Sequence, residues 1–595
     1  MKDVMQLKRA CDPVRAEITD SIEAILTRML DEQYDGFSIF ELLEKPPEAT
    51  MGDYAMPCFR LAKLLKQKPQ DIAETIKLEL EKDRCEWIDS VKVVGAFLNI
   101  ITSKKALASE VITKVMNGSF FEVFSKSAIN ASINVMIEYS QPNTHKEFHV
   151  GHGRNVCLGD SLCRLFRYNG YNVLAVNYIG DEGAHIAKCL WQLDQQSESK
   201  PSDMTKTEWY GKNYVEANKK LENSSEDEKK TYLQEISSVL RAIENKEGKY
   251  YEIWQKSREE CLADFRSTYE WLDVHFDHYF FESEFSNESQ RLVDEYLDKG
   301  FFEVSEGAVG KDLSSEKLGF CMVRKSDGNI PYMTRDIALA RKKFDEFNID
   351  RSIYVVGSEQ IFHFNQLFKV LQMMGFKQAD ECFHLSYGMV VRPDGKMSSR
   401  LGNSVTFGTL KQQILQELSE YLERYKDQWN PQEVEEIAHR LSVGAIKYGM
   451  LQSDPNREIT FELSQWLSFE GNTGPYLMYT YARIKSILRK AEDEGIVSAD
   501  KEFDLLNHDL ELEILRYLYD FNNVCMQACE TYRPSVLAQY LFNLCKSFNR
   551  YYSEVSVLKA DTLDLKRERV TLLHAFSLTL YQGLALLGIT PPEKM

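Results

Sequence analysis

Two histidines three positions apart, His149 and His152, enclose Gly151 at a point where a loop gives way to a helical pattern. The loop contains Pro142 and follows a short apolar segment. A helix N-terminus presents free backbone N–H groups and a partial positive charge, which together suit phosphate. Gly151 leaves room for a flat base near the backbone, and the two imidazoles could donate hydrogen bonds to phosphate oxygens as charge develops. The pattern therefore predicts a nucleotide site, with ordinary loop histidines as the alternative.

A second candidate segment lies far downstream, at Asp394-Gly-Lys-Met-Ser-Ser-Arg-Leu-Gly402. It follows the apolar segment 387–391, and the glycines near both of its ends favour a mobile loop. Lys396 and Arg400, with the serines between them, have the charges and hydroxyls of a phosphate clamp. In isolation such a loop is more often a solvated turn, but its pairing with the two histidines favours the clamp. No Ser-His-Asp or reactive-cysteine arrangement competes with this phosphate chemistry in the sequence.

The chain has 595 residues and a formal net charge of −19, with 43% hydrophobic and 27% charged residues. This length suggests about three or four domains, and the composition is typical of a globular protein. The acidic balance argues against indiscriminate nucleic-acid binding, although a local basic patch could still bind one RNA. The start has no apolar signal region, and no run approaches the ~18 apolar residues of a membrane helix. We therefore predict a cytoplasmic protein that binds no membrane.

The 12 cysteines are scattered along the chain and form no C-x-x-C pair. The closest pairs, Cys157/Cys163 and Cys525/Cys529, have helical surroundings. A structural zinc site would need paired cysteines at a closer spacing. The pattern predicts buried free thiols and no metal held by the protein itself.

Residues 1–105 are expected to form a small α+β accessory unit. Helical patterns at 14–30, 57–66 and 69–81 precede one strand-like segment at 91–100. No catalytic pattern is visible in this part of the chain, so an accessory binding domain is the natural interpretation.

Residues 106–410 are expected to form a Rossmann-type catalytic domain around a parallel sheet. A strand, a helix and a second strand, which together make a βαβ unit, are predicted at 133–138, 153–168 and 171–178. Gly170 would end the helix as its C-cap, and 352–356 would be another central strand. The polar segment at about 192–290, rich in lysine and glutamate, is predicted to be a helical insertion.

Residues 411–595 are expected to form a helical bundle. Just before and within this region apolar residues recur every four positions, at Leu410, Ile414, Leu418 and Leu422, as one buried helix face requires. The predicted fold class is therefore α/β, with an N-terminal α+β domain and a C-terminal all-α helical bundle.

The order of motifs resembles that of class I aminoacyl-tRNA synthetases, whose two signatures correspond to the H-x-G-H and K-M-S-S-R segments. Other segments narrow the resemblance to the arginyl-tRNA synthetase family. They are Glu138-Tyr-Ser-Gln-Pro-Asn143, Asn177-Tyr-Ile-Gly-Asp-Glu-Gly183, Tyr332-Met-Thr-Arg-Asp336, Tyr354-Val-Val-Gly-Ser-Glu-Gln360, Val443-Gly-Ala-Ile-Lys-Tyr448 and Phe469-Glu-Gly-Asn-Thr-Gly-Pro-Tyr476. The resemblance covers nearly the whole chain.

A substrate with a guanidinium group calls for paired carboxylates in a recessed pocket, because the planar fork donates bidentately. Glu138 ends the first strand, and it and Asp336 could both lie at the carboxyl edge of the sheet, where ligands of such folds bind. The resemblance implies that Glu138, Asp336 and Tyr332 hold the guanidinium of L-arginine. It also implies that Asn143 and Gln360 contact the α-amino and carboxyl end.

The resemblance likewise implies that the two signatures bind ATP, which enters with Mg2+. The implied ATP-binding residues are His149, Gly151, His152, Lys396, Met397, Ser398, Ser399 and Arg400. The usual class I clamp reads K-M-S-K-S, and its fourth position is Ser399 here. Lys146, three residues before His149, could supply the missing charge, a role that the resemblance to relatives with degenerate clamps implies. We expect Lys146 and Lys396 to share the phosphate work, with His149 and His152 as the other catalytic residues.

The implied reaction has two steps. The arginine carboxylate attacks the α-phosphorus of Mg-ATP and releases pyrophosphate, and the 2′-OH of the terminal ribose of tRNA-Arg then attacks the activated carbonyl. No protein nucleophile is needed, so catalysis depends on in-line positioning and on stabilisation of phosphate charge. The resemblance assigns the amino-terminal unit to the tRNA elbow and the bundle to the stem and anticodon loop. It further implies a monomer in which bound tRNA is required for arginine activation.

Three other functions remain open at the level of sequence. A nucleotidylyltransferase also uses H-x-G-H on a nucleotide fold, but such proteins are usually smaller and lack a bundle of this size. A synthetase-derived RNA-binding scaffold without catalysis would not need to retain both signatures together with the pocket acids. Another class I amino-acid specificity is disfavoured by Glu138 and Asp336, which suit a cationic substrate.

Overall fold

The structure is a computed structural model that describes residues 2–30, 34–48, 51–83, 85–127, 129–196, 199–391, 405–425, 428–499 and 503–595. Five of the predicted ATP-binding residues fall in the gap between 391 and 405, and so lie outside the described residues. They are Lys396, Met397, Ser398, Ser399 and Arg400. Among the helices in the described ranges, none is long and apolar enough to cross a membrane.

The amino-terminal unit combines helices with a three-stranded antiparallel sheet of order β1-β3-β2. Its elements are α1 (Lys2–Cys11), α2 (Pro13–Leu30), α3 (Ile39–Leu42), β1 (Tyr54–Pro57), α4 (Phe59–Leu65), α5 (Pro69–Lys82), β2 (Ile88–Val94) and β3 (Phe97–Thr102). The prediction of one strand at 91–100 was wrong, because this segment is part of a hairpin. Gly95 adopts a φ of +61°, and the chain reverses there so that β2 pairs with β3.

The middle part of the chain is built around a parallel sheet with the strand order β11-β10-β4-β5-β6. These strands are β4 (Asn134–Glu138), β5 (Asn172–Ile179), β6 (His278–Phe281), β10 (Arg351–Gly357) and β11 (Cys382–Tyr387). Helix α8 (Val150–Tyr168) connects β4 to β5 and makes the predicted βαβ unit. It begins three residues earlier than predicted because His149 is its N-cap, and Gly170, at a φ of +84°, lies just past its end.

Further helices accompany the strands of this sheet. They are α6 (Lys104–Met116), α7 (Val123–Ser127), α9 (Ala184–Asp194), α13 (Glu282–Asp298), α14 (Tyr332–Glu346) and α15 (Ile361–Met373). A small antiparallel sheet that the sequence pattern did not predict contains β7 (Glu303–Ser305), β8 (Ala308–Asp312) and β9 (Phe320–Arg324).

The insertion between β5 and β6 is helical. Its helices are α10 (Lys206–Asn223), α11 (Glu226–Glu244) and α12 (Gly248–Trp271). The chain rejoins the parallel sheet at β6, so the helical part is shorter than the predicted span of about 192–290. Thr205 and Glu208 cap the start of α10 reciprocally, which fixes where this helix begins.

The last part of the chain is a helical bundle. Its helices are α16 (Phe407–Leu422), α17 (Pro431–Leu451), α18 (Leu463–Trp466), α19 (Gly474–Asp493), α20 (Asp509–Glu530), α21 (Pro534–Glu554) and α22 (Leu563–Leu586). The four predicted apolar positions of α16 are all buried. Two short strands, β12 (Val390–Val391) and β13 (Ile459–Thr460), pair in parallel, and β13 lies between two helices of the bundle, α17 and α18.

A buried charge cluster anchors α8 to the bundle. Lys447 of α17 donates to Asp160 Oδ2 at 2.9 Å, and Arg164 donates to both oxygens of Asp160 at 3.0 and 3.1 Å. Burial alone would raise the pKa of Asp160, but the two cations hold it below its usual value. Gly588, at a φ of +71°, passes so close that any side chain there would collide with Lys447 Nζ and Asp160 Oδ2. The helix that carries H-x-G-H is therefore fixed from the bundle side.

Candidate active site

The start of α8 makes backbone hydrogen bonds with the segment that follows the second predicted signature. Val150 N donates to Val405 O at 3.1 Å, and Phe407 N donates to Phe148 O at 2.8 Å. Between them His149 and Thr406 form an antiparallel bridge. Residue 405 is the first described residue after the predicted clamp. The sequence pairing of H-x-G-H with K-M-S-S-R thus corresponds to direct contact between H-x-G-H and the segment that follows the clamp.

Arg154 ties the segment that precedes the clamp to the same helix. Its fully buried guanidinium donates to the backbone carbonyls of Gly388, Met389, Pro455 and Arg457, the last three at 3.3, 3.0 and 2.7 Å. One arginine therefore satisfies four carbonyl groups where β12 and β13 come together. Sequence analysis did not single out this residue, because its partners lie more than 230 positions away.

His149 and His152 stack on each other, with ring centroids 3.8 Å apart. Burial lowers the pKa of His149 to about 4, with a further contribution from Lys146. Burial also lowers the pKa of His152 well below its usual value, helped by His149 and Lys146. His149 N donates to His152 Nδ1 at 3.2 Å, so the proton of a neutral His152 resides on Nε2. Two neutral imidazoles thus stand at a helix N-terminus, ready to act as hydrogen-bond donors.

The neighbours of the histidine pair are Gly151 and Lys146. A Cβ at position 151 would lie 3.0 Å from two ring atoms of His149, so glycine keeps the stacked pair in place. Lys146 Nζ lies 5.6 Å from the ring centroid of Tyr214 on α10, and its charge lowers the pKa of both histidines. The structure therefore brings the four predicted residues of this loop together, with a lysine beside the two imidazoles.

Glu138 ends β4 in the middle of the sheet, as predicted, but it already has a cationic partner. Its carboxylate forms an ion pair with Lys343 of α14, which is completely buried, and Glu138 itself is only 4% exposed. Gln141 Nε2 donates to the other carboxylate oxygen at 3.2 Å. The charge of Glu138 is thus compensated within the protein.

Tyr332 is the first residue of α14, and Asp336 lies about one turn further along the same helix. Asp336 Oδ2 is 2.6 Å from His363 Nε2 of α15. Tyr332 is 59% exposed, so its ring lines the mouth of the site rather than its interior. Burial raises the pKa of the Tyr178 hydroxyl, and the carboxylates of Asp336, Glu282 and Glu138 add to this effect. All three acids therefore lie near the Tyr178 hydroxyl, at the carboxyl edge of the sheet.

Glu282 is a residue of this group that sequence analysis missed. It directly follows β6, it is 6% exposed, and its Oε2 has no hydrogen-bond partner among the described residues. The nearest cation is Arg335, whose Nη1 lies 3.7 Å away. Burial raises the pKa of Glu282 to about 8, and the neighbouring acids, Asp336 first, raise it further against the effect of Arg335. The sequence signal for Glu282 was an acid directly after a parallel strand. It was missed because the sequence pattern of β6 is too weak to predict a strand there.

The start of α13, which carries Glu282, is fixed by Asp181. This completely buried carboxylate accepts hydrogen bonds from Ser283 N at 2.9 Å and from Ser283 Oγ at 2.7 Å. It also pairs with Arg258 Nε at 2.7 Å. Asp181 belongs to one of the segments that carried the family resemblance, and its structural role is to orient the neighbouring strand end.

Asn143 and Gln360 lie just past the ends of two parallel strands. Asn143 forms an isolated parallel bridge with Gly180, and Thr144 N donates to Gly180 O at 2.9 Å. Gln360 is exposed at the end of the turn Ser358–Gln360 that follows β10. The structure therefore places all of the predicted arginine-binding residues along one edge of the sheet.

Among the described residues, no group of three or more His, Cys, Asp or Glu side chains could hold a metal ion.

Comparisons with known proteins cover almost the whole chain. The family model "tRNA synthetases class I (R), catalytic domain" matches residues 121–463, the "DALR anticodon binding domain" matches 477–595, and the "Arginyl tRNA synthetase N terminal domain" matches 15–102. An arginine–tRNA ligase of Bdellovibrio bacteriovorus is 39% identical over 587 residues, which are 97% of this chain and 99% of that protein. One from Clostridium botulinum is 34% identical over 583 residues, 97% and 99% of the two chains. The solved structure of Thermus thermophilus arginyl-tRNA synthetase has a TM-score of 0.78 at 26% identity, and covers 98% of this chain and 100% of that one.

Proposed function

The chain belongs to the class I arginyl-tRNA synthetase family and is an arginine–tRNA ligase, and we propose that its acid group binds the guanidinium of L-arginine. The proposed guanidinium ligands are Asp336 and Glu282, with Glu138 and Tyr332 completing the pocket. Asn143 and Gln360 would hold the α-amino and carboxyl end. Membership of this family argues against the three alternative functions that the sequence had left open.

One observation carries this proposal: a buried carboxylate oxygen, Glu282 Oε2, lacks a hydrogen-bond donor among the described residues. Arg335 Nη1, 3.7 Å away, is near this oxygen but makes no hydrogen bond with it, and a guanidinium fork would supply the missing hydrogen bonds and a second cation. A neutral or acidic side chain would leave the acids unpaired, so the same group would reject other amino acids.

The ATP end of the reaction is assigned to the start of α8. His149 and His152 would donate to the phosphates, and the N-terminus of α8 would attract their charge. Lys146 and Lys396 would share the stabilisation of the leaving pyrophosphate. Mg2+ would enter as the ATP complex, and the arginine carboxylate would attack the α-phosphorus in line.

The remaining parts of the chain would bind tRNA-Arg. We assign the unit at 1–105 to the tRNA elbow and the bundle at 411–595 to the stem and anticodon loop, with 106–410 as the catalytic domain. Because α8 is anchored to the bundle through Lys447, binding of tRNA and activation of arginine would be coupled. We also expect a cytoplasmic monomer.

The test is ATP–pyrophosphate exchange with each amino acid, with and without total tRNA. Exchange with arginine only in the presence of tRNA supports both the specificity and the coupling. Exchange with arginine alone contradicts the coupling, and exchange with none overturns the assignment. Glu282→Gln and Asp336→Asn should each raise the KM for arginine, whereas the exposed Glu346→Gln at the end of α14 should leave it unchanged.

A further inference from the structure

We propose that His363 is a positioning residue that orients the Asp336 carboxylate toward the substrate guanidinium. The proposal rests on the proposed function of Asp336 as a guanidinium ligand. His363 lies in the first turn of α15, directly after the turn that carries Gln360, and its Nε2 is 2.6 Å from Asp336 Oδ2. Among the described residues, His363 is the hydrogen-bonding partner of this carboxylate.

The reason for a histidine at this point is electrostatic. The other acids near the site differ in how their charges are compensated: Glu138 pairs with Lys343, and Glu182 pairs with Arg335 at 3.2 Å. A permanent cation of this kind offsets the negative charge of the carboxylate, and this charge is what attracts a cationic substrate. An imidazole N–H can donate to a carboxylate although histidine, unlike lysine and arginine, is not a permanent cation. Among the described residues, no lysine or arginine pairs with Asp336, and His363 orients its carboxylate through this one contact.

The geometry also explains why Asp336 needs a partner. A bidentate carboxylate–guanidinium contact demands that the two planar groups be aligned. Asp336 is only partly buried, so solvent would otherwise compete for its oxygens and its rotamer would vary. Each carboxylate oxygen can accept two hydrogen bonds, so Oδ2 can be held by His363 while both oxygens still accept from the guanidinium.

The imidazole is itself held by aromatic packing. The ring of the buried Phe364 lies 5.5 Å away at an interplanar angle of 85°. His384 stacks on Phe364 with ring centroids 4.4 Å apart, and its Nε2 is 3.0 Å from Val356 O. Contacts through His363, Phe364 and His384 therefore connect Asp336 on α14 to β10.

The experiment compares two substitutions at one position in arginine-dependent ATP–pyrophosphate exchange with saturating tRNA. His363→Gln keeps an amide Nε2 donor, and His363→Leu removes the donor at similar volume. A matched control is His275→Leu, which removes an exposed histidine 3.7 Å from Asp273. We expect His363→Leu to raise the KM for arginine about tenfold, with kcat and the KM for ATP within about twofold of wild type. His363→Gln should stay within about threefold, and His275→Leu should match wild type.

Two results would overturn the proposal. One is an unchanged KM for arginine in His363→Leu, and the other is an equal rise in the KM for ATP, which would mean a general structural defect. If the leucine variant does not fold, His363→Ala provides the same comparison with His363→Gln. Asp336→Asn separates the two levels of inference: a normal KM for arginine there refutes the guanidinium site itself. An impaired Asp336→Asn beside a normal His363→Leu refutes only the positioning role. The double variant should be no worse than Asp336→Asn, because His363 acts through that carboxylate.

Discussion

Asp160 Oδ2 and Lys447 Nζ are 2.9 Å apart although 287 positions separate them in the chain, and both side chains are buried. Their contact joins the helix that presents His149 and His152 to α17. A buried ion pair of this kind is weak evidence for net stability, but removal of one partner leaves the other as a buried charge with less compensation. The ion pair therefore connects the catalytic domain to the bundle at a fixed point.

Lys447→Met should destabilise the protein by about 1.5–3 kcal/mol, because the buried Asp160 would lose one of its two cations and keep only Arg164. Urea unfolding of the variant measures this loss. The control is Lys299→Met, which removes an exposed pair with Glu295 and should cost less than about 1 kcal/mol. Asp160→Asn combined with Lys447→Met should recover part of the stability. Equal losses for Lys447→Met and Lys299→Met would contradict the proposed connection.

The Asp160 carboxylate should also contribute to the loss of folding stability at low pH. The pKa of Asp160 is lowered in the folded protein, so its contribution is present above the unfolded pKa of about 4 and is lost as pH falls through the folded pKa. Stability measured between pH 5 and pH 3 should therefore decline less steeply in Asp160→Asn than in wild type. Parallel curves would argue that other carboxylates dominate acid unfolding.

Arginine binding should depend on pH through Glu282. Its raised pKa, about 8, means that the free enzyme holds this carboxyl protonated at neutral pH, whereas a bound guanidinium favours the ionised form. Binding therefore releases a proton, and the KM for arginine should fall as pH rises toward about 8, by up to about tenfold per pH unit. Glu282→Gln should abolish this dependence and raise the KM for arginine at pH 8. Calorimetry in buffers of different ionisation enthalpy would count the proton directly.

The histidine pair should act without a change of charge. Because the pKa of His149 lies near 4 and that of His152 is also lowered, both rings are neutral from pH 6 to pH 8. His152→Ala should lower the kcat of arginine activation about 10²–10³-fold through loss of a preorganised donor. The ratio of wild-type to variant kcat should be constant over this pH range. A ratio that grows on acidification would indicate a protonated imidazole instead.

Lys146→Ala tests the division of work in the phosphate clamp. The lysine lies close enough to lower the pKa of both histidines, so its charge reaches the phosphate side of the site. We expect kcat for activation to fall far more than the affinity for arginine, which is bound at the sheet edge. Lys212→Ala, a lysine of α10 that packs over Trp209, serves as the control. A near-normal kcat in Lys146→Ala would refute the shared clamp.

The sequence predicted the parts of the site whose signal is local. The histidine pair at a helix start, the strand that ends at Glu138 and the apolar face of α16 each depend on neighbouring residues, and each lies where it was expected. Contacts between distant segments could not be predicted in the same way. Lys343 compensates Glu138 from 205 positions away, and Glu282 follows a strand with no clear alternation. A family pattern identifies which acids are present, but burial and charge pairing decide which of them retain a usable charge.

The strand order has a consequence for the chain while it is being made. β4 lies in the middle of the sheet, between β5 and β10, yet β10 follows it by more than 200 residues of synthesis. At about 5–20 residues per second, the open edge of β4 waits roughly 10–40 s for its second neighbour. During that interval α8 can pack on the strands already made, but α17 and the segment at 405–407, which it also contacts, have not yet been synthesised. The nascent protein therefore passes through a long-lived half-sheet whose unpaired edge invites mispairing, and protection by a chaperone is most valuable at that stage.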